Sequence, residues 1–203
     1  ESVKSFFGGK SKDFITAVDE KSIIIVKELE EGEGYPEMDK LAHAILDSLG
    51  LNQTEETHIA YGTIVNELKE VSRSYKEARM ALDVGKIFFG EKDVIAYSSL
   101  GIGRLIYQLP TTLCAMFLKE VFKRGSIESL DHETLFTIQR FFENNLNVSE
   151  TSRKLFVHRN TLVYRLEKIK KITGLDLREF EDAIVFKVAL MVKKYLSSSP
   201  SKF

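Results

Sequence analysis

Leu155-Phe156-Val157-His158-Arg159-Asn160-Thr161-Leu162-Val163-Tyr164-Arg165-Leu166-Glu167-Lys168-Ile169 is the stretch on which the reading of this chain turns. The spacing predicts a helix over 158–173, with Leu162, Leu166 and Ile169 in one narrow apolar stripe. Asn160, Tyr164, Lys168 and Lys171 fall on the opposite side, with Thr161 and Arg165 flanking them. A second helix is expected just before it, over 148–156. Asn147 can cap that helix, and Glu150 three residues later completes a capping box. Val148, Ser152 and Leu155 share its inner face, where Ser152 is small enough for two helices to pass closely. Only Phe156-Val157-His158 joins the two helices, and so short a link makes a sharp corner.

The outward residues of the second helix have a use. A helix fits the DNA major groove, where Arg pairs with guanine and Asn with adenine, and its first turn points at base edges. His158, Arg159, Asn160 and Thr161 form that first turn. Tyr164 and Arg165 follow on the same element. Lys154, Lys168, Lys170 and Lys171 suit phosphates, which add affinity without sequence information.

Charge is distributed to match. The whole chain of 203 residues has a formal net charge of −1. Residues 1–130 carry 16 Lys/Arg against 21 Asp/Glu, a balance of −5, and residues 131–203 carry 13 against 9, a balance of +4. Within 151–171 seven basic residues face one acid, Glu167. Positive charge confined to one element is the pattern of a protein that meets a phosphate backbone through a small part of its surface.

Upstream the patterning differs. Phe14–Val18 and Ile23–Val26 are β-branched runs around the polar tip Asp19-Glu20-Lys21-Ser22, a hairpin. A loop over 30–36, a helix over 37–49, a strand over 58–65, a helix over Ser72–Phe89 and a strand at Val94–Tyr97 follow. After Leu100 only helices are expected: 101–109, 111–124, 131–145, 148–156, 158–173 and 178–196, with a frayed tail from Ser197. Pro110 ends one helix or begins the next. The expected organisation is an α+β domain over 1–98, connecting helices over 99–130, and an all-α helix-turn-helix domain over 131–203.

The run from Asn147 through Leu166, with its "LFVHRNTLVYRLEKI", resembles the C-terminal helix-turn-helix of the purine-catabolism and sugar-diacid (PucR/CdaR-type) transcriptional regulators. Thr173-Gly174-Leu175-Asp176-Leu177 and the closing helix continue the likeness, which covers about 75 residues. Ser152 stands where that family usually has Ala. In that family a degenerate relative of the GGDEF cyclase fold precedes the helix-turn-helix, and the elements of residues 13–97 are similar in order. The resemblance implies a sequence-specific DNA-binding regulator of catabolic or transport genes. It also implies a duplex operator as partner and an effector sensed by an upstream domain outside this chain. The first residue is Glu1, so a piece of a longer protein is expected. A homodimer is expected because one recognition helix reads few base pairs.

Other chemistry finds little support. A GGDEF-type cyclase holds metal with acidic residues at the hairpin tip, where this chain has Lys21 and Ser22, and a cation there opposes metal binding. No enzyme activity and no cofactor is therefore expected. Phe7-Gly8-Gly9-Lys10-Ser11 resembles a phosphate loop but lacks the first glycine, since position 4 is Lys4. The histidines His43, His58, His132 and His158 are scattered, without metal-ligand spacing. Cys114 reads as a core residue, and a single cysteine fits a reducing cytoplasm. No apolar run is long enough for a bilayer. The alternative reading is a catalytically inert nucleotide-binding or protein-interaction module whose basic helix meets a non-DNA partner. RNA is disfavoured because Tyr164 is the single stacking aromatic on that face.

Overall fold

A computed structural model describes residues 3, 7, 12–49, 57–90, 92–122 and 129–198. The glycine-rich stretch 8–11 and the tail residues 199–203 lie outside the described residues. Contacts divide the chain into two compact units, Glu1–Tyr107 and Gln108–Phe203.

The first unit opens with a hairpin of β1 (Phe14–Asp19) and β2 (Ser22–Val26), paired antiparallel with Phe14 opposite Val26 and Ala17 opposite Ile23. Asp19 shapes the tip by accepting the Lys21 N–H at 2.7 Å, the local turn chemistry of Asp. Next come α1 (Tyr35–Leu49), β3 (Ile59–Tyr61), α2 (Val71–Phe88), β4 (Val94–Ala96) and α3 (Ile102–Tyr107). β3 and β4 pair in parallel, as a second two-stranded sheet. α2 lies on β4 so closely that a Cβ at Gly85 would sit 2.0 Å from Ile95 Cδ1. Ala81, Val84, Ile95 and Leu100 form the small core there.

The third strand is much shorter than the expected 58–65. At Gly62 the backbone runs against α2, where a Cβ would fall 2.0 Å from the Ser74 carbonyl oxygen. Beyond it side chains replace a strand ladder: Glu77 accepts the Thr63 N–H at 2.9 Å, and the Tyr35 hydroxyl accepts the Ile64 N–H at 3.2 Å.

The second unit is helical: α4 (Thr111–Val121), α5 (His132–Glu143), α6 (Val148–Lys154), α7 (Arg159–Thr173) and α8 (Phe180–Ser198). Pro110 sits at the N-cap of α4, so it begins that helix. Cys114 is buried. Leu162, Leu166 and Ile169, the stripe read from sequence, are fully buried with Ile138, Phe141, Leu177 and Phe186. Phe122 meets Phe186 edge to face at 5.7 Å between centroids. α8 extends to Ser198, two residues beyond the expected 196.

Candidate nucleic-acid interface

Two tight corners set the geometry of α6 and α7. At the end of α5 the Leu146 N–H bonds to the Phe141 carbonyl at 3.0 Å and the Asn145 N–H to the Phe142 carbonyl at 3.1 Å. That is a Schellman ending, with Asn145 left-handed at φ 51° and Leu146 following at φ 60°. α6 ends the same way: Val157 N–H bonds to Ser152 O at 3.0 Å and Phe156 N–H to Arg153 O at 3.1 Å. Here the left-handed residue is Phe156, at φ 55°. Val157 packs into the core while Phe156 is 97% exposed.

Caps begin both helices. Asn147 accepts the Glu150 N–H at 2.9 Å, as expected. The capping box is only half made. The Glu150 carboxylate pairs with Arg153 at 2.7 Å, and the Asn147 N–H bonds instead to the Asn144 carbonyl at 3.0 Å. His158, expected at the base edges, caps α7: its Nδ1 accepts the Asn160 N–H at 3.2 Å. That ring nitrogen is spent on the helix end. The hydroxyl of Ser152, buried between helices, is satisfied within α6 by Ser149 O at 3.0 Å.

The seven basic residues separate by partner. Arg165 turns toward α5: one guanidinium nitrogen bonds to Thr137 Oγ1 at 3.1 Å and another to the Glu133 carboxylate, and the side chain is 23% exposed. Lys168 bonds to Asp131 at 2.9 Å, the residue that also caps α5 through the Thr134 N–H. Those contacts hold the Asp131 carboxyl well below the usual carboxylate range and raise the Lys168 ammonium. Lys170 is tied to Asp176 at 3.0 Å, and Arg153 to Glu150. Lys154, Arg159 and Lys171 are exposed and have no ion pair among the described residues.

These bonds engage Arg165 and Lys168, two of the expected site residues, with α5 and its cap. With about 100° per residue, Arg165 and Lys168 mark the side of α7 that faces α5, and Leu162, Leu166 and Ile169 the side that faces the core. The remaining arc runs from Arg159 through Asn160 and Lys171 to Tyr164, which is 71% exposed. Thr161, exposed in the first turn, sits at its border toward α5. Glu167 also lies on this arc, an acid in the wrong place for phosphate. Its carboxylate is taken up by Arg178, whose guanidinium also grips Asp176 at 2.7 Å. Arg178 was not among the expected site residues. Its function depends on a partner eleven residues back, which no local pattern reveals. Among the described residues no group of three or more His, Cys, Asp or Glu could hold a metal ion.

Comparison with known proteins identifies both domains. Residues 134–192 match the PucR C-terminal helix-turn-helix domain, and residues 1–84 match the GGDEF-like domain. The carbohydrate diacid regulator of Escherichia coli is 35% identical over 124 residues, 60% of this chain and 32% of that protein. The transcriptional activator AdeR of Bacillus subtilis is 31% identical over 173 residues, 81% of this chain and 40% of that protein. The purine catabolism regulatory protein of Bacillus subtilis is 27% identical over 135 residues, 66% of this chain and 25% of that protein. The chain therefore spans well under half the length of these relatives. A GGDEF-like domain followed by a PucR-type helix-turn-helix places this chain among the PucR/CdaR-type transcriptional regulators.

Proposed function

We propose that this protein is a cytoplasmic, sequence-specific DNA-binding transcriptional regulator that lays α7 in the major groove of a duplex operator. The observation that carries the reading is the solvent arc of α7. Arg159 and Asn160 stand in its first turn, Tyr164 and Lys171 follow, and the single acid between them is neutralised by Arg178. Arg159 and Asn160 read base edges, with Tyr164 packing beside them. Lys154 and Lys171 hold phosphates. Thr161 supports the first turn, and His158 acts by capping it. Arg165 and Lys168 fix the helix on α5.

The protein binds as a homodimer, because one such arc covers only a few base pairs and paired half-sites supply the rest. It responds to an effector bound outside residues 1–203 and controls catabolic genes, a role supported by the names of its relatives. No described helix is long and apolar enough to cross a membrane, in keeping with a role on DNA. Selection of duplexes from a random pool tests the proposal. An enriched motif with two-fold symmetry is expected; a pool that stays random after repeated rounds overturns sequence-specific binding.

A further inference from the structure

The corner between α6 and α7 holds a side chain that the fold does not use. Its backbone bonds need only main-chain atoms, the Phe156 N–H on Arg153 O and the Val157 N–H on Ser152 O. Glycine serves that left-handed position without steric cost, yet the chain places a phenylalanine there, at φ 55°. Leu155 and Val157 on either side pack against the core. The ring between them is turned outward, and among the described residues no other large apolar side chain is as exposed. A lone exposed apolar residue is ordinary. A bulky one held in left-handed backbone is not, and strain that the fold does not need points to function.

The neighbours indicate what meets the ring. From Arg153 to Thr161 the other exposed residues are Arg153, Lys154, His158, Arg159, Asn160 and Thr161. None is apolar, and no acid occurs between Glu150 and Glu167. The core of a protein–protein contact is depleted in charge and built from clustered anchors, so a single ring among cations fits a protein surface poorly. Lys154 and Arg159, which have no ion pair among the described residues, fit a phosphate-rich partner. The apolar group that duplex DNA presents in its major groove is the 5-methyl of thymine, which phenylalanine meets by apolar packing. Reach is sufficient. Three residues span at most about 11 Å, so Phe156 lies within roughly three base-pair steps of the base that Arg159 meets.

We infer that Phe156 is a specificity-determining residue whose ring rests on the 5-methyl group of a thymine in each half-site, beside the bases read by Arg159 and Asn160. This rests on the proposed docking of α7 in the major groove. The left-handed backbone is what aims the ring: with Val157 anchored in the core and His158 capping α7, Phe156 points away from the protein at the entrance of the reading helix. Arg159 and Asn160 then recognise hydrogen-bonding edges, and Phe156 recognises a methyl that neither can sense.

The test removes the methyl and the ring separately. On the site enriched from the random pool, each thymine is replaced in both half-sites by deoxyuridine, which deletes the methyl and keeps the base pair. At one position this is expected to weaken the wild-type protein by about fourfold per half-site, the worth of one buried methyl. Phe156→Ala is expected to lose at least as much on the thymine duplex and to bind the two duplexes equally. Phe156→Gly is expected to bind as weakly as Phe156→Ala while unfolding at higher urea than wild type, which separates the ring's role from folding. Phe156→Leu, still apolar, is expected to keep part of the preference for thymine. Undiminished affinity of Phe156→Ala overturns the inference, and loss of transcription in vitro by that variant would then assign the ring to a protein partner. A preference for thymine as large in Phe156→Ala as in wild type overturns it too. A pool that yields no enriched site overturns the DNA-binding reading as well, whereas discrimination lost in Arg159→Ala but not in Phe156→Ala overturns this inference alone.

Discussion

Phe156 carries the sharpest local conflict in the second unit, a large side chain in left-handed backbone with 97% of its surface exposed. A non-glycine residue in that conformation costs roughly 1–2 kcal/mol, and its side chain recovers nothing by packing. Phe156→Gly should therefore stabilise the protein by about 0.5–1 kcal/mol, after the extra chain entropy of glycine is deducted. Urea unfolding measures it, and a destabilised variant would show that the ring has a partner. The same partner-by-partner reading sorts the residues of α7. Arg159→Ala or Asn160→Ala should cost about 1–3 kcal/mol on the selected site and much less on random duplex. Lys171→Ala should weaken both about equally. Loss of discrimination in none of the first two variants would sink the assignment of reading residues. Arg165 shows the limit of sequence at this scale. Its residue type and flanking position suit DNA, but Glu133 and Thr137 lie about thirty residues away in the chain, and only the fold brings them to it.

Between elements, the α7–α8 connection is held by one nearly buried carboxylate. Asp176 accepts from Arg178 N, Nε and Nη2 and from Lys170 Nζ, at 2.7 to 3.1 Å. The Arg178 and Lys170 contacts press its carboxyl well below the ordinary 3.8. A carboxyl whose folded pKa is depressed stabilises the fold above its unfolded value and loses that contribution as pH falls through the folded one. Asp176→Asn should cost about 2–3 kcal/mol at pH 7, and the gap from wild type should narrow steadily below pH 4. Denaturant midpoints across that range check it; a gap independent of pH would mean that shape, not charge, matters at this site. Helix existence was legible from spacing because burial of one stripe decides it, as at Leu162, Leu166 and Ile169. Element ends were less so. The end of β3 is decided by the approach of Gly62 to Ser74 and by side chains of Tyr35 and Glu77, all distant in sequence. The capping box looked complete in sequence, but Arg153 offered Glu150 a better partner than the Asn147 N–H.

Across the whole molecule, charge and chemistry separate by unit. In the GGDEF-like part the Asp19 carboxylate at the hairpin tip is engaged with the turn backbone, and Lys21 stands beside it. Incubation with GTP and magnesium should yield no cyclic dinucleotide; robust product formation would refute that. On the proposed DNA role of the second unit, its ion pairs make the salt dependence calculable. Arg165, Lys168, Lys170 and Arg153 already have carboxylate partners, so neutralising a phosphate with them gives up an existing contact. Lys154, Arg159 and Lys171 have none to give up. Even if Arg159 also lies close to the backbone, one protomer then engages about three phosphates. At about −0.9 per phosphate, log K against log salt should fall with a slope near −3 for one copy and near −5 for two. Seven engaged cations per protomer, the number counted from sequence in 151–171, would give about −6 and −13 instead. With Lys154 and Lys171 on phosphates and Arg159 adding at most one more per protomer, the homodimer on its selected site is expected between about −4 and −5. Fluorescence anisotropy between 50 and 300 mM salt, with stoichiometry fixed by titration at high concentration, separates these cases. A slope beyond about −8 would mean that phosphates pull Arg165 and Lys168 away from α5, and α7 would then dock by a different face from the one assigned here.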